Sequence, residues 1–163
     1  MTITRLFYLA LFTICLSLLG FGLYLEHAQG IEPCPLCAFQ RMCYIAILFI
    51  TLIGAIHNTQ NILGTTYKIL ILIASLIGAG IAGRQVWLQH LPPELVPECG
   101  PGLEYMMEVF PFMDAMKMIL SGSGECAEVH WTFLTLSIAE WSLICFSLIA
   151  IATLLVTLVF KNR

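Results

Sequence analysis

The chain has 163 residues, of which 60% are hydrophobic and only 10% charged, and its mean hydropathy is +0.93. Soluble domains carry roughly 25% charged residues, so this composition excludes an ordinary soluble globule and indicates a membrane protein. The net charge of −3 comes without any basic tract, so no nucleic-acid partner is expected. Leu6 to Leu25 is an uncharged apolar run of about 20 residues, roughly 30 Å as a helix, which is enough to cross a bilayer. Ala28-Gln29-Gly30 loosely fits a signal-peptide cleavage site. The apolar core nevertheless exceeds the roughly 7 to 15 residues of a signal peptide, so it is expected to remain as a first span.

Glu26 to Glu32 forms a short polar loop, and Cys34-Pro35-Leu36-Cys37 then leads into a second apolar run, Met42 to Ile56. Pro35 suits the first turn of a helix, because its φ is fixed near the helical value and its missing N–H has no partner there. Cys34 is therefore expected at the N-cap, where the positive end of the helix dipole favours a thiolate, the form that attacks disulfides. Arg41 follows Cys37 by four residues, which on a helix sets the guanidinium over the second thiol. The competing reading of Arg41 is an interfacial anchor that snorkels to the headgroups.

His57-Asn58-Thr59-Gln60-Asn61 ends the second run. A third, Ile69 to Gly83, carries Gly78, Gly80 and Gly83, small residues that let helices approach closely. It continues to Leu88, with Trp87 and His90 marking an interface. Leu91 to Glu140 is polar and proline-bearing, and Trp141 to Phe160 supplies a fourth run before Lys161-Asn162-Arg163. The expected architecture is all-α, a single membrane domain over residues 1–163. It is a four-helix bundle with spans at about 6–25, 36–57, 67–88 and 141–160, and loops at about 26–35 and 89–140. Four spans put both termini on one side. Arg5, Lys68, Lys161 and Arg163 fall on that side and all 10 acidic residues on the other, so the positive-inside rule predicts cytoplasmic termini and outward loops. Arg41, Arg84 and Lys117 lie on the outer side, the first two in or beside helix ends. In a bacterial cell the outer compartment is the periplasm, where disulfides persist.

In the long loop, Cys99 precedes Gly100-Pro101-Gly102 and Cys126 follows Ser121-Gly122-Ser123-Gly124, so flexible chain is expected beside both thiols. Between them Phe112, Met113, Met116, Ile119 and Leu120 recur at helical spacing, opposite Asp114, Lys117 and Ser121. The pattern predicts a short amphipathic helix, lying in the membrane interface or packed on the bundle as ordinary core. Of the 7 cysteines, Cys15, Cys43 and Cys145 sit within apolar runs, where a thiol packs as a small apolar residue. Cys34, Cys37, Cys99 and Cys126 face outward and are the candidate redox thiols. Cys34 with Cys37 makes one pair and Cys99 with Cys126 the natural second, although four thiols allow three pairings and sequence does not choose among them. Zinc binding is the rival use. The absence of short ligand spacing around Cys99 and Cys126 and an oxidising compartment argue against it, so no metal is expected. Purely structural staples are the other alternative, but closing so short a loop as Cys-x-x-Cys removes little chain entropy.

Taken together, these residues resemble the disulfide bond formation protein B (DsbB) family of membrane thiol oxidases. The resemblance is carried by the four spans, by Cys34-Pro35-Leu36-Cys37 with Arg41 four residues on, and by Gln89-His90 after the third span. Ser123-Gly124-Glu125-Cys126-Ala127-Glu128 before Trp131 completes it. It implies a thiol:quinone oxidoreductase of the bacterial inner membrane. Such an enzyme re-oxidises a periplasmic thioredoxin-like dithiol carrier (DsbA-like) and gives the electrons to ubiquinone or menaquinone from the membrane pool. It further implies catalysis through Cys34, Cys37, Cys99 and Cys126, with Arg41 at the quinone beside a Cys37 thiolate. The expected relay runs from the carrier to Cys99, then from Cys126 to Cys34, and leaves through Cys37. Gln40 departs from the family pattern, since some members carry an acid there, and this alters the charge expected beside the quinone. His90, near the same surface, is a candidate proton donor or quinone hydrogen-bond partner, set against the structural role that a lone interfacial His more often has. Readings from other classes are a non-catalytic membrane scaffold with structural disulfides and a cysteine-based metal sensor. Thiols that cycle during turnover separate an oxidase from both.

Overall fold

A computed structural model describes residues 3–31, 33–58, 62–97, 108–129 and 131–161. Four long helices dominate it: α1 (Ile3–Gln29), α2 (Pro35–His57), α3 (Ile62–Gln89) and α6 (Ile138–Lys161). Between the last two lie α4 (Phe112–Ser121), the single turn α5 (Gly124–Ala127), and a hairpin of β1 (Thr132–Phe133) and β2 (Leu136–Ser137). Each of the four long helices is long and apolar enough to cross a membrane, so the chain is a multi-pass helical bundle, as its composition predicts.

The helix ends have local causes. Cys34 is the N-cap of α2 in extended backbone with Pro35 next, and Asn58, left-handed at φ 43°, closes the helix by donating its N–H to the Gly54 carbonyl at 2.9 Å. Helix α6 starts at Ile138, ahead of the apolar run that begins at Trp141. Ser137 and Glu140 form a reciprocal capping box there: the Ser137 N–H donates to Glu140 Oε2 at 2.6 Å and the Glu140 N–H to Ser137 Oγ at 3.2 Å.

Helix α2 packs on both α1 and α3, and α3 packs on α6. Tyr8, Cys15, Ile47, Ile71, Ala82 and Phe146 form the fully buried centre, while Leu16, Ile53, Ile73 and Leu155 point outward as lipid-facing side chains should. Buried hydroxyls return to their own helices: Thr51 donates to the Leu48 carbonyl, Ser75 to Leu72 and Thr153 to Ile149, at 2.7–2.9 Å. In hydrocarbon this satisfies a polar group without a second helix. Tyr44 of α2 stacks on Phe146 of α6 with ring centroids 4.1 Å apart.

At the end where α2 begins, α4 is amphipathic. Ile119 is buried whereas Met113 and Leu120 are exposed, so only part of the predicted apolar stripe packs on the bundle. Arg84 of α3 donates to the Ser121 carbonyl at 2.8 Å and lies over the Trp87 ring, fixing the end of α4. The segment expected to be flexible beside Cys126 is instead packed. Gly122, Ser123 and Gly124 are buried, and Gly122 adopts φ 81° with its α-carbon so close to Leu88 that a β-carbon has no room. The hairpin turns through Leu134 and Thr135, both at positive φ, in register Thr132 with Ser137. It links α1 to α6 through Phe21, Trp131, Phe133 and Trp141, whose neighbouring ring centroids are 5.4–6.1 Å apart.

The Tyr44–Phe146 stack depends on Gly78, where a β-carbon would lie 2.5 Å from the Phe146 ring. Gly78→Ala is expected to destabilise the detergent-solubilised bundle by about 1–3 kcal/mol through overpacking. Gly80→Ala, at a position with nothing within 4 Å, is expected to be close to neutral. Thermal denaturation of the two variants checks this, and equal stability would mean that the stack has room to shift.

Candidate functional site

The first turn of an α-helix leaves N–H groups without intrahelical acceptors. At the head of α2 they meet sulfur. The Cys37 N–H donates to Cys34 Sγ at 3.4 Å, and the Leu36 N–H donates to the sulfur of Cys126, which arrives from α5 far along the chain. Cys34 and Cys37 place their sulfurs 3.2 Å apart, and the Cys34 thiol also hydrogen-bonds Cys126. Cys126 is fully buried beside Leu36 and Leu88, with its own N–H on the Ser123 carbonyl at 2.9 Å and the Ser123 hydroxyl 3.8 Å from its sulfur. All three are free thiols.

Hydrogen bonding among the three sulfurs sets which of them holds charge more readily. Cys34 is the donor, and its hydrogen bonds to Cys126 and then Cys37, followed by burial, push its thiol well above the ordinary range. Cys126 is the acceptor. The Cys34 thiol, with the Leu36 N–H and the Ser123 backbone and hydroxyl, lowers it to about 6 against the opposing effect of burial. This differs from the expectation of a thiolate at Cys34: both sulfurs accept an N–H of the first turn, but Cys34 also donates its own proton to Cys126, so Cys34 is raised and Cys126 lowered.

Arg41 of α2 reaches back to α1, pairing with Glu26 and donating to the Gly22 carbonyl at 3.1 Å, while its charge acts on Cys37. It is thus both a tie between helices and a cation near the second thiol. Two amides complete the surroundings. Gln85 of α3 places Nε2 3.4 Å from Cys34 Sγ and 3.2 Å from Cys37 Sγ, and its Oε1 accepts from Gln40 Nε2 at 2.7 Å. Sequence reasoning missed Gln85. The available signal was an amide inside an apolar run, where polar side chains are costly and tend to be functional.

Cys34, Cys37, Gln40, Arg41 and Gln85 face a cavity of about 500 Å³. Its lining includes Leu18, Leu19, Phe21 and Leu25 of α1, Trp141 and Cys145 of α6, and Trp131 and Phe133. Its size is that of a small-molecule site, predominantly apolar with a few convergent polar groups. Cys145, grouped by sequence with Cys15 and Cys43 as packing, packs against the same core as they do and also borders the cavity. The structure does not bring His90 to the thiols. Its Nδ1 lies 2.8 Å from the Val86 carbonyl, its Nε2 is 4.0 Å from Glu140, and it is not among the cavity's lining residues. Cys99, with Gly100-Pro101-Gly102, lies outside the described residues.

Fold and site together define a class: a multi-pass membrane protein that gathers thiols from two separate loops at the head of one helix, beside an apolar cavity. The profile of the family described as disulfide bond formation protein DsbB matches residues 4–156. The disulfide bond formation protein B of Aromatoleum aromaticum is 49% identical over 148 residues, covering 91% of this chain and 89% of that protein. That of Azoarcus sp. (strain BH72) is 47% identical over 159 residues, covering 98% and 94%, and that of Methylococcus capsulatus is 50% identical over 135, covering 83% and 82%. The chain belongs to the DsbB family, and with that membership comes a disulfide oxidoreductase role in forming disulfide bonds at the membrane.

The proton arrangement is directly testable. In the reduced protein, alkylation of Cys126 followed by peptide mass spectrometry is expected to show a midpoint near pH 6, the thiolate being present above that pH and lost below it. Cys34→Ala removes the donor and is expected to move the midpoint toward the ordinary 9.0. A parent midpoint already at the ordinary thiol value would mean that Cys34 does not donate to Cys126.

Proposed function

We propose that the protein re-oxidises a periplasmic DsbA-like dithiol carrier and passes the electrons through two cysteine pairs to a membrane quinone. In this reading it sits in the bacterial inner membrane, with the head of α2 facing the periplasm and both termini in the cytoplasm. The observation that carries the proposal is the three-thiol cluster, in which Cys126 hydrogen-bonds Cys34, and Cys34 lies 3.2 Å from a Cys37 that borders the cavity. A chain of sulfurs ending at an apolar cavity is what electron transfer from a soluble dithiol into the membrane requires.

The residues present fit a quinone. The leucines of α1 and the aromatic side chains of the hairpin would hold its apolar part, and Arg41 would stand with Cys37 at the polar end. When bound, the quinone supplies a two-electron, two-proton acceptor. The protein's own thiols carry out the exchange that precedes it. A carrier thiolate attacks Cys99 of a Cys99–Cys126 disulfide, and Cys126 leaves as a thiolate. The donors around Cys126 favour that departure, since a lower thiol pKa makes a faster leaving group. Cys126 then attacks Cys34 of the Cys34–Cys37 disulfide and releases Cys37, whose negative charge the Arg41 cation favours. The carrier's second thiolate attacks its own half of the mixed disulfide and frees Cys99, and Cys99 recaptures Cys126 from Cys34. The sum is one carrier disulfide formed and the Cys34–Cys37 pair reduced by two electrons.

Two variants test the order of events. Cys99→Ser is expected to abolish reaction with the carrier while Cys34–Cys37 still forms. Cys126→Ser leaves Cys99 a free thiol with no disulfide for the reduced carrier to attack, so carrier oxidation is expected to stop. Mixed with oxidised carrier, the Cys99 thiolate is expected to attack the carrier disulfide and release one carrier thiol, giving a carrier–Cys99 mixed disulfide on non-reducing gels. Normal carrier oxidation by Cys99→Ser would refute this order.

Arg41→Gln tests the cation. Charge-assisted hydrogen bonds contribute roughly 1.5 to 3 kcal/mol, so kcat/KM for quinone is expected to fall about ten- to hundredfold. Anaerobic, stoichiometric oxidation of the carrier without added quinone is expected to persist, and Arg41→Lys to be intermediate. Because Arg41 also pairs with Glu26, Glu26→Gln serves as the control for loss of the helix tie alone. Slower stoichiometric carrier oxidation with unchanged quinone kinetics would remove Arg41 from the quinone site.

A further inference from the structure

We infer that Gln85 sets the redox balance of the Cys34–Cys37 pair, donating an amide N–H to each sulfur and so favouring the dithiol over the disulfide. The inference rests on the reading of Cys34 and Cys37 as a redox pair. Gln85 is 3% exposed and comes from α3, the helix packed on α2, so its amide is fixed from outside the Cys-x-x-Cys turn. An amide has two N–H donors and one acceptor oxygen. Here the oxygen is 2.7 Å from Gln40 Nε2, which turns the NH₂ group toward the sulfurs at 3.4 and 3.2 Å; the orientation follows from this hydrogen-bond network. The Cys37 thiol, 3.5 Å from the same oxygen, has a second acceptor there when protonated.

In the reduced pair Cys34 donates and Cys37 accepts. A disulfide sulfur is a weak acceptor and a Cys37 thiolate a strong one, so the Gln85 donor 3.2 Å from Cys37 stabilises the reduced pair more than the oxidised one. Burial among apolar helices strengthens that difference. Gln40 gains a role in the same network. A carboxylate at position 40 has no N–H to give the Gln85 oxygen, so a neutral amide there keeps the Gln85 donors directed at the thiols. The competing account is that the two amides only join α2 to α3, as buried polar side chains do in membranes. That role changes stability and leaves the thiol equilibrium where it was.

The test is the equilibrium of the full-length protein with a glutathione buffer, in detergent and free of quinone and carrier, in a Cys99→Ser/Cys126→Ser background. Two glutathione thiols become one glutathione disulfide as the Cys34–Cys37 bond breaks and its sulfurs take up two electrons and two protons. The fraction reduced is read by alkylation and mass. Gln85→Met removes the donors at similar size. Gln85→Glu keeps the hydrogen bond from Gln40 and replaces the NH₂ by an acceptor oxygen. A hydrogen bond to an ionised partner corresponds to about one to two decades in an equilibrium constant. The equilibrium constant for reduction is therefore expected to fall roughly ten- to hundredfold in Gln85→Met, about 30–60 mV for a two-electron couple, and at least as far in Gln85→Glu. Either folded variant within about twofold of the parent overturns the role of Gln85 while leaving the redox pair intact. A parent whose Cys34–Cys37 disulfide never forms overturns the redox reading itself and the inference with it.

Discussion

The N–H groups at the first turn of α2 are the resource on which the site depends. A helix start must find acceptors for them, and in an apolar bundle there is little water to serve. Here the acceptors are sulfur atoms from two different loops: Cys34, the N-cap itself, and Cys126, carried in by α5. That sharing explains why the thiol of Cys34 is raised and that of Cys126 lowered: both accept from the helix, and Cys34 donates to Cys126. It also explains why the segment before Cys126 is packed and not loose. The turn at Gly122 has to press on Leu88 for α5 to reach the head of α2.

The rest of the bundle can be read as support for that meeting. Helix α3 sits between α2 and α6, so it can present Gln85 to the thiols from one face while gripping α6 with the other. Helices α1 and α6 both line the cavity and are linked by the aromatic side chains of the hairpin. An apolar cavity of this kind, bordered by sulfur, arginine and two amides at one end, offers a ligand one polar end and a long apolar wall.

Arg41 shows how one side chain meets two demands. A guanidinium half-buried in a membrane bundle needs acceptors, and Glu26 with the Gly22 carbonyl supplies them from α1. The pairing draws the cation along the cavity wall and keeps it within electrostatic reach of Cys37. The anchor reading and the chemical reading of Arg41 therefore describe the same geometry. Gln40, which the family resemblance marks as a neutral residue where some members carry an acid, holds the amide of Gln85.

The sequence by itself determined the membrane class, the four long helices and the N-cap at Cys34, because bilayer length, apolar runs and the stereochemistry of Pro35 are local properties that composition and spacing express directly. The positions of Cys34, Cys37, Cys126 and Arg41 were likewise visible as chemically apt residues. What only the tertiary structure decided is which sulfur holds charge more readily, and which polar groups stand beside the pair. Cys126 meets Cys34, Gln85 meets both sulfurs of α2, and Glu26 meets Arg41 across long separations in the chain, whereas His90 turns to the α3–α6 junction. Hydrogen-bond partners so far apart in sequence leave no spacing pattern, since a contact between helices depends on their packing angle and rotation. Gly78 beneath Phe146 and Gly122 against Leu88 are two places where that packing is close.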